Sequence, residues 1–363
     1  MACMPAGQTQ QHSQDGPGVI RAGGRGAVAL ARRWAGVLLD PSPAAMRGFA
    51  LAGVITSAGI IATGAAVRLS KSGLGCPDWP QCTKTSLVAA HSQGDPMFHT
   101  WIEFGNRMVT IAITLVAVAV FVAAWRFRPG GQRRRDLVWL AAVQPAGIPA
   151  QAVLGGLLVL TKLNPALVAL HFLASIALLA AAVALHVRCT EGTGPARSLV
   201  RADLRVLSYG LLAVIAAMLA AGTVVTGTGP LAGAGAVPRF HLPLAGVTQF
   251  HADIGWLLGG LAVPLAVGLR LTHAPARAVR LGWLVLALIG LQGAIGYTQY
   301  FSGLPAGLVW FHVCGSTLIW IAALYLVFAL RDRGPVTGPP GQPGAGEPGA
   351  RKLAEPAEPA AAR

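Results

Sequence analysis

Two stretches decide the fold: QAVLGGLLVLTKLNPALVALH (residues 151–171) and QGAIGYTQYFSGLPAGLVWFH (residues 292–312). Each runs from a glutamine to a histidine over the same spacing, Gln151 to His171 and Gln292 to His312. Each histidine falls early in an apolar run, and His251 does the same in a third run, so all three sit near one face of a bilayer. Ionisable side chains at membrane depth are costly and usually mark a pathway, a relay or a ligand site. Imidazoles facing one another across a helix bundle are also a common means of holding haem iron. A weaker echo, GAAVRLSKSG at 64–73 and GTVVTGTGPL at 222–231, closes the first helix of each half. The chain reads as a tandem duplication with a haem-sized site in each half.

Composition sets the class. The chain is 54% hydrophobic and 11% charged, with a mean hydropathy of +0.59, outside the range of ordinary soluble domains. Eight apolar stretches are long enough to cross a hydrocarbon core: 48–67, 99–125, 137–160, 165–188, 205–228, 245–270, 278–299 and 305–330. The expected fold is an all-α integral membrane protein of eight transmembrane helices, arranged as two tandem four-helix bundles. The first bundle is expected over 48–188 and the second over 205–330, joined by a linker at 189–204. Residues 1–47 read as a disordered extension, within which Met46 is a possible start. The Pro/Gly/Ala-rich segment 331–363 reads as a disordered tail.

The formal charge of +15 raises the question of nucleic acid, and its distribution answers it. Arginines crowd the segments before helix 1 and after helices 2, 4 and 6. The opposite loops hold only Arg68, Lys71, Lys84, Lys162 and Arg239. This is the positive-inside pattern of a multi-pass protein in a cell membrane, with both termini cytoplasmic and loop 68–98 extracytoplasmic. No nucleic-acid partner is expected; the lipid bilayer is the large partner.

That outward loop carries Cys76 and Cys82 within SGLGCPDWPQC (72–82). On an oxidising membrane face a disulfide is expected; two free thiols or a metal pair are the alternatives. A metal is disfavoured because no histidine lies close by in the sequence. Cys3, Cys189 and Cys314 read as unpaired.

Glu103, Asn106 and Arg107 share one face near the outer start of helix 2. Glu103 reads either as an intrahelical partner of Arg107 that anchors the helix end, or as a proton-handling carboxylate beside a redox centre. A lone membrane histidine can also do no more than bond a neighbouring helix. Three at one depth favour ligation, with His251 and His312 the natural axial pair of a six-coordinate haem. Asp253 lies two positions from His251 and points elsewhere, orienting another helix or marking the water boundary. His12, His91, His99, His186, His241 and His273 read as solvated or interfacial.

Taken together, SGLGCPDWPQC, IEFGNR (102–107), QFHADIGW (249–256) and WFHVCGST (310–317) resemble the haem A synthase family of cytochrome oxidase assembly over roughly residues 48–330. The short loops and the GNR variant resemble an actinobacterial member. The resemblance implies a b-type haem held in the second half, here by His251 and His312. It implies haem O as substrate in the first half, with His171 the matching iron ligand and Asn106 and Arg107 nearby. The reaction implied converts the C8 methyl group of haem O to a formyl group by two hydroxylations, with Glu103 donating or accepting a proton. The implied partners are a haem O synthase as supplier, a membrane electron donor, and cytochrome c oxidase assembly as the destination of haem A.

The chain departs from the family at Asn106, where many members carry histidine. Asparagine ligates iron poorly, so His171 is expected to hold the substrate iron without a second imidazole. A second outward cysteine pair, found in some members, is absent from residues 229–247. The rival readings are a membrane b-type cytochrome exchanging electrons with quinol, and a haem carrier or chaperone.

Overall fold

The computed structural model describes residues 36–89 and 97–336. Eight helices among them are long and apolar enough to cross a membrane. They are α1 Pro43–Leu69, α2 Met97–Arg126, α3 Arg135–Leu160, α4 Pro165–Arg188, α5 Ala202–Thr228, α6 Leu244–Leu271, α7 Ala276–Phe301 and α8 Ala306–Ala329. In hydrocarbon every backbone polar group must find its partner within the segment, which is why these runs are helical throughout. Local signals place the ends. The Ser42 side chain accepts from the Ala45 N–H ahead of Pro43, and the Asn164 side chain accepts from the Ala166 N–H ahead of Pro165. These are N-caps followed by a proline whose missing N–H costs the first turn nothing. Pro145 and Pro149 lie inside α3 and Pro264 inside α6.

Two turns at matching places in the two halves share one backbone form. The α3–α4 and α7–α8 turns place Leu163 and Leu304 in left-handed conformations, at φ 62° and 61°. In both turns the leucine N–H reaches back five residues, Leu163 to Leu158 O and Leu304 to Gln299 O, each at 2.7 Å. The same helix-terminating motif also closes α1, where Ser72 N–H donates to Val67 O, and α6, where Ala274 N–H donates to Leu269 O. Within each half the helices close a ring: α1 packs on α2, α2 on α3, α3 on α4 and α4 on α1, and α5–α8 repeat the pattern. The two bundles meet through α1, α4, α5 and α8, and α8 is the most enclosed helix. A cluster including Ile61, Ile176, Leu179, Ile215, Leu265, Ile319 and Leu326 runs through this junction.

Two expected boundaries shift. The first helix begins at Pro43, ahead of residue 48, because Ser42 and Pro43 supply a start signal, and the fully buried Met46 packs inside the bundle. The segment after α8 was expected to open a disordered tail, yet residues 331–336 are ordered. Strand β1 (Arg197–Ser198), from the α4–α5 linker, pairs antiparallel with strand β2 (Arg331–Asp332). Gly192 N–H also donates to Gly334 O at 2.8 Å. Charge reinforces the pairing. Arg134 meets Asp136 at 2.9 Å, Arg188 meets Asp136 at 2.6 Å and Glu191 at 2.7 Å, and Arg331 reaches Glu191 at 3.4 Å. Several arginines read as a topology signal are thus also structural ties, and the ordered ends of α4 and α8 lie on one side of the bundle. Cys189 is buried here without a disulfide, and burial pushes its thiol up to about 11. Cys3, His12 and His91 lie outside the described residues.

Candidate functional site

His251 on α6 and His312 on α8 are brought together inside the second bundle. Their ring centres stand 6.3 Å apart with planes inclined by 66°. An imidazole nitrogen lies about 2 Å from a metal it ligates, and the ring centre about 1 Å further, so two rings trans across one iron have centres about 6 Å apart. The observed spacing fits that arrangement. The helix facing each ring carries glycine. A Cβ at Gly222 on α5 would lie 3.2 Å from His251 Cε1, and one at Gly296 on α7 would lie 3.3 Å from His312 Cε1. These are tight contacts, and the missing side chains let the rings lie close against the helices. Both rings have a buried Nδ1 without a hydrogen-bond partner.

The first bundle repeats half of this arrangement. His171 on α4 faces Gly155 on α3, whose Cβ would lie 3.8 Å from His171 Cε1, and its Nδ1 is likewise buried without a partner. The repeated glutamine is used locally: Gln151 Nε2 donates to His171 O at 3.1 Å and to Ser175 Oγ at 2.7 Å, bracing α4 at His171. Asn106 on α2 accepts at Oδ1 from the Thr63 hydroxyl of α1, 2.8 Å away. Asn106, where the resemblance would place a histidine, is therefore engaged in an interhelical hydrogen bond.

Glu103 and Arg107 form the ion pair allowed by their spacing, 2.9 Å apart, and both also hold the loop between α1 and α2. Glu103 Oε2 accepts from the Cys76 N–H at 2.8 Å. Arg107 donates to Gln81 O at 3.0 Å, Cys76 O at 3.1 Å and Asp78 O at 3.3 Å. Cys76 and Cys82 are joined as a disulfide, so the free-thiol and metal-pair alternatives fall away. The same loop seats Trp79 against α3, where a Cβ on Gly156 would run into the indole ring. An ion pair whose lone pairs and N–H groups are otherwise satisfied by loop backbone is a strong clamp.

Two histidines expected to be solvated have partners. His99 Nδ1 pairs with Ser72 Oγ at 2.8 Å, and His186 Nδ1 pairs with the Tyr325 hydroxyl at 2.7 Å. Each sits where a loop or helix from elsewhere in the chain supplies a hydroxyl, which sequence position alone does not show. His241 and His273 are exposed, and the exposed Asp253 accepts from Gln249 Nε2 at 2.8 Å. Thr63, Trp79 and Trp310 are site residues that sequence reasoning missed. Their partners are an amide, a glycine and a backbone carbonyl, none of which leaves a motif.

Fold and site together define a duplicated eight-helix, multi-pass membrane protein with histidines lining its interior. The profile of the COX15-CtaA family, described as cytochrome oxidase assembly protein, matches residues 47–324. The chain belongs to that family. Among curated relatives, the haem A synthase of Geobacillus kaustophilus is 33% identical over 108 residues, covering 29% of this chain and 30% of the relative. That of Geobacillus thermodenitrificans is 34% identical over 112 residues, covering 31% and 32%. The haem A synthase of Shewanella oneidensis is 23% identical over 315 residues, covering 75% of this chain and 92% of the relative. The chain thus spans about a third of the length of the two Geobacillus relatives it matches.

Proposed function

We propose that this chain oxidises the C8 methyl group of haem O to a formyl group, producing haem A for cytochrome c oxidase. The observation that carries the reading is the unequal pair of histidine sites: His251 faces His312 in one bundle, while in the other, among the described residues, no second imidazole pairs with His171 and Asn106 is bonded to Thr63. A protein that only relays or carries electrons has no need of one closed and one open position. The family match and the relatives named haem A synthase support the same reading.

His251 and His312 would hold a b-type haem, which supplies the one-electron chemistry that side chains cannot. His171 binds the substrate iron, braced through its own backbone carbonyl by Gln151. Arg107 and Glu103 keep the disulfide loop seated over the first bundle, and Glu103 is the carboxyl that handles a proton there. The two successive hydroxylations take dioxygen as oxidant: each inserts one oxygen atom into a C–H bond of the methyl group and reduces the other to water with two electrons from the membrane donor and two protons, and the resulting gem-diol loses water. The arginine distribution supports a cell-membrane protein with cytoplasmic termini and residues 68–98 outside. Supply by a haem O synthase, a membrane electron donor and delivery to oxidase assembly follow from the chemistry proposed.

Pigment analysis tests the reading. Protein purified from a membrane that contains haem O should yield haem A or its hydroxymethyl precursor beside haem B. Haem B alone overturns the proposal and leaves a b-type cytochrome or a haem carrier.

A further inference from the structure

Arg68 sits in the last turn of α1, two turns beyond Ile61 and on nearly the same face of the helix. Ile61 is buried in the cluster that joins the bundles. The stem of Arg68 lies against the segment between α5 and α6. A Cβ at Gly233 would stand 3.2 Å from Arg68 Cγ and 2.9 Å from Leu163 Cδ1, and Gly233 adopts φ +117°, a conformation open to glycine. The Gly73 N–H donates to Gly233 O at 3.0 Å and pins the two outer segments together. Arg68 is therefore held in a seam built from both bundles.

Among the described residues the guanidinium has no counter-ion. Its Nε is buried without a hydrogen-bond partner, and among the described residues no carboxylate stands within ion-pair distance of it. Arg107, Arg134 and Arg188 each meet a carboxylate; Arg68 does not. Arg68 is half-buried, with its terminal nitrogens left open to a partner, and a planar guanidinium is built to take a carboxylate through two parallel N–H bonds. Trp310, two residues before His312, bonds to Ala62 O on α1. Arg68 lies six residues further along α1, about 9 Å nearer its outer end.

We infer that Arg68 is the counter-ion of a propionate carboxylate on a haem bound beside the seam. The inference rests on the haem-binding reading above. It is tested on the purified holoprotein with Arg68→Gln and Arg68→Lys, by following haem transfer to excess apomyoglobin, identifying each released pigment, and titrating the haem B potential. Arg68→Gln is expected to release one haem about 10- to 100-fold faster, the loss of one charge-assisted contact, while Arg68→Lys falls between. If haem B is released faster, its potential also falls, because the removed cation no longer disfavours the ferric form; the carboxylate then belongs to the His251/His312 haem. If haem O is released faster and the haem B potential holds, the carboxylate is the substrate's. Either result supports the inference. Wild-type release of every haem together with an unchanged potential in Arg68→Gln overturns the Arg68 assignment alone. A wild-type preparation that holds no haem overturns the underlying reading as well. If Arg68→Gln does not accumulate in the membrane, Arg68→Lys carries the test: loss of the fork should speed release severalfold, and wild-type release overturns the inference.

Discussion

The indole N–H of Trp310 on α8 donates to the carbonyl of Ala62 on α1 across 2.9 Å. The bond joins the two bundles two residues from His312 and one residue from Thr63, which holds Asn106. Two further bonds tie α8 to α4: Trp320 Nε1 to Ile176 O at 3.1 Å, and Tyr325 to His186 at 2.7 Å. The helix that carries His312 is thus fastened to the first bundle at three depths. Apolar contact alone discriminates poorly between helices in lipid, so directional bonds of this kind set the register.

Trp310→Phe keeps an aromatic ring and removes the donor. Interhelical hydrogen bonds in membranes average about 0.6 kcal/mol and reach about 1.7 kcal/mol, so a small loss of thermal stability is expected, with haem ligation intact. A melting curve of the solubilised protein identical to wild type would show that this bond contributes nothing to joining the bundles.

His251→Ala or His312→Ala should abolish the low-spin haem B spectrum, because a six-coordinate iron loses an axial ligand. His171→Ala should leave that spectrum unchanged and lower haem A yield. Absorption spectra of the three purified variants decide the matter. Wild-type haem B spectra in both second-bundle variants would show the pairing to be wrong.

Glu103→Gln preserves shape and leaves an oxygen able to accept from the Cys76 N–H, but it cannot ionise. Haem binding should survive while haem A formation falls by about 10²- to 10⁴-fold, the range of general acid–base contributions. An undiminished yield would confine Glu103 to clamping the loop with Arg107.

Cys76→Ser opens the outer loop. A disulfide closing so short a loop contributes at most about 2–3 kcal/mol, and the helical core is held by other forces, so the eight helices and the His251/His312 haem should persist while haem A production drops. Gly156→Ala should act in the same direction by unseating Trp79 without touching the sulfur atoms. Pigment extraction measures both variants, and non-reducing mass spectrometry of wild type checks the bond itself. Free thiols in protein from an oxidising compartment would remove this account of the loop.

The eight helices and the repeated Gln–His spacing were legible in the sequence, as was the place of His171, His251 and His312 in the first turns of α4, α6 and α8. Each depends on local composition: hydrocarbon demands a run of apolar residues of set length, and a duplicated gene keeps its spacing. The pairing of Glu103 with Arg107 was legible for the same reason, since four residues bring two side chains to one helix face. Only the tertiary structure decided that this pair grips the Cys76 loop and that Asn106 bonds Thr63. It also decided that His186 meets Tyr325, that His251 and His312 face each other at 6.3 Å, and that Arg68 meets no carboxylate among the described residues. These contacts join segments far apart in the chain, often through a backbone carbonyl or amide that every residue carries. No local pattern marks them, because the partner is chosen by how the helices pack.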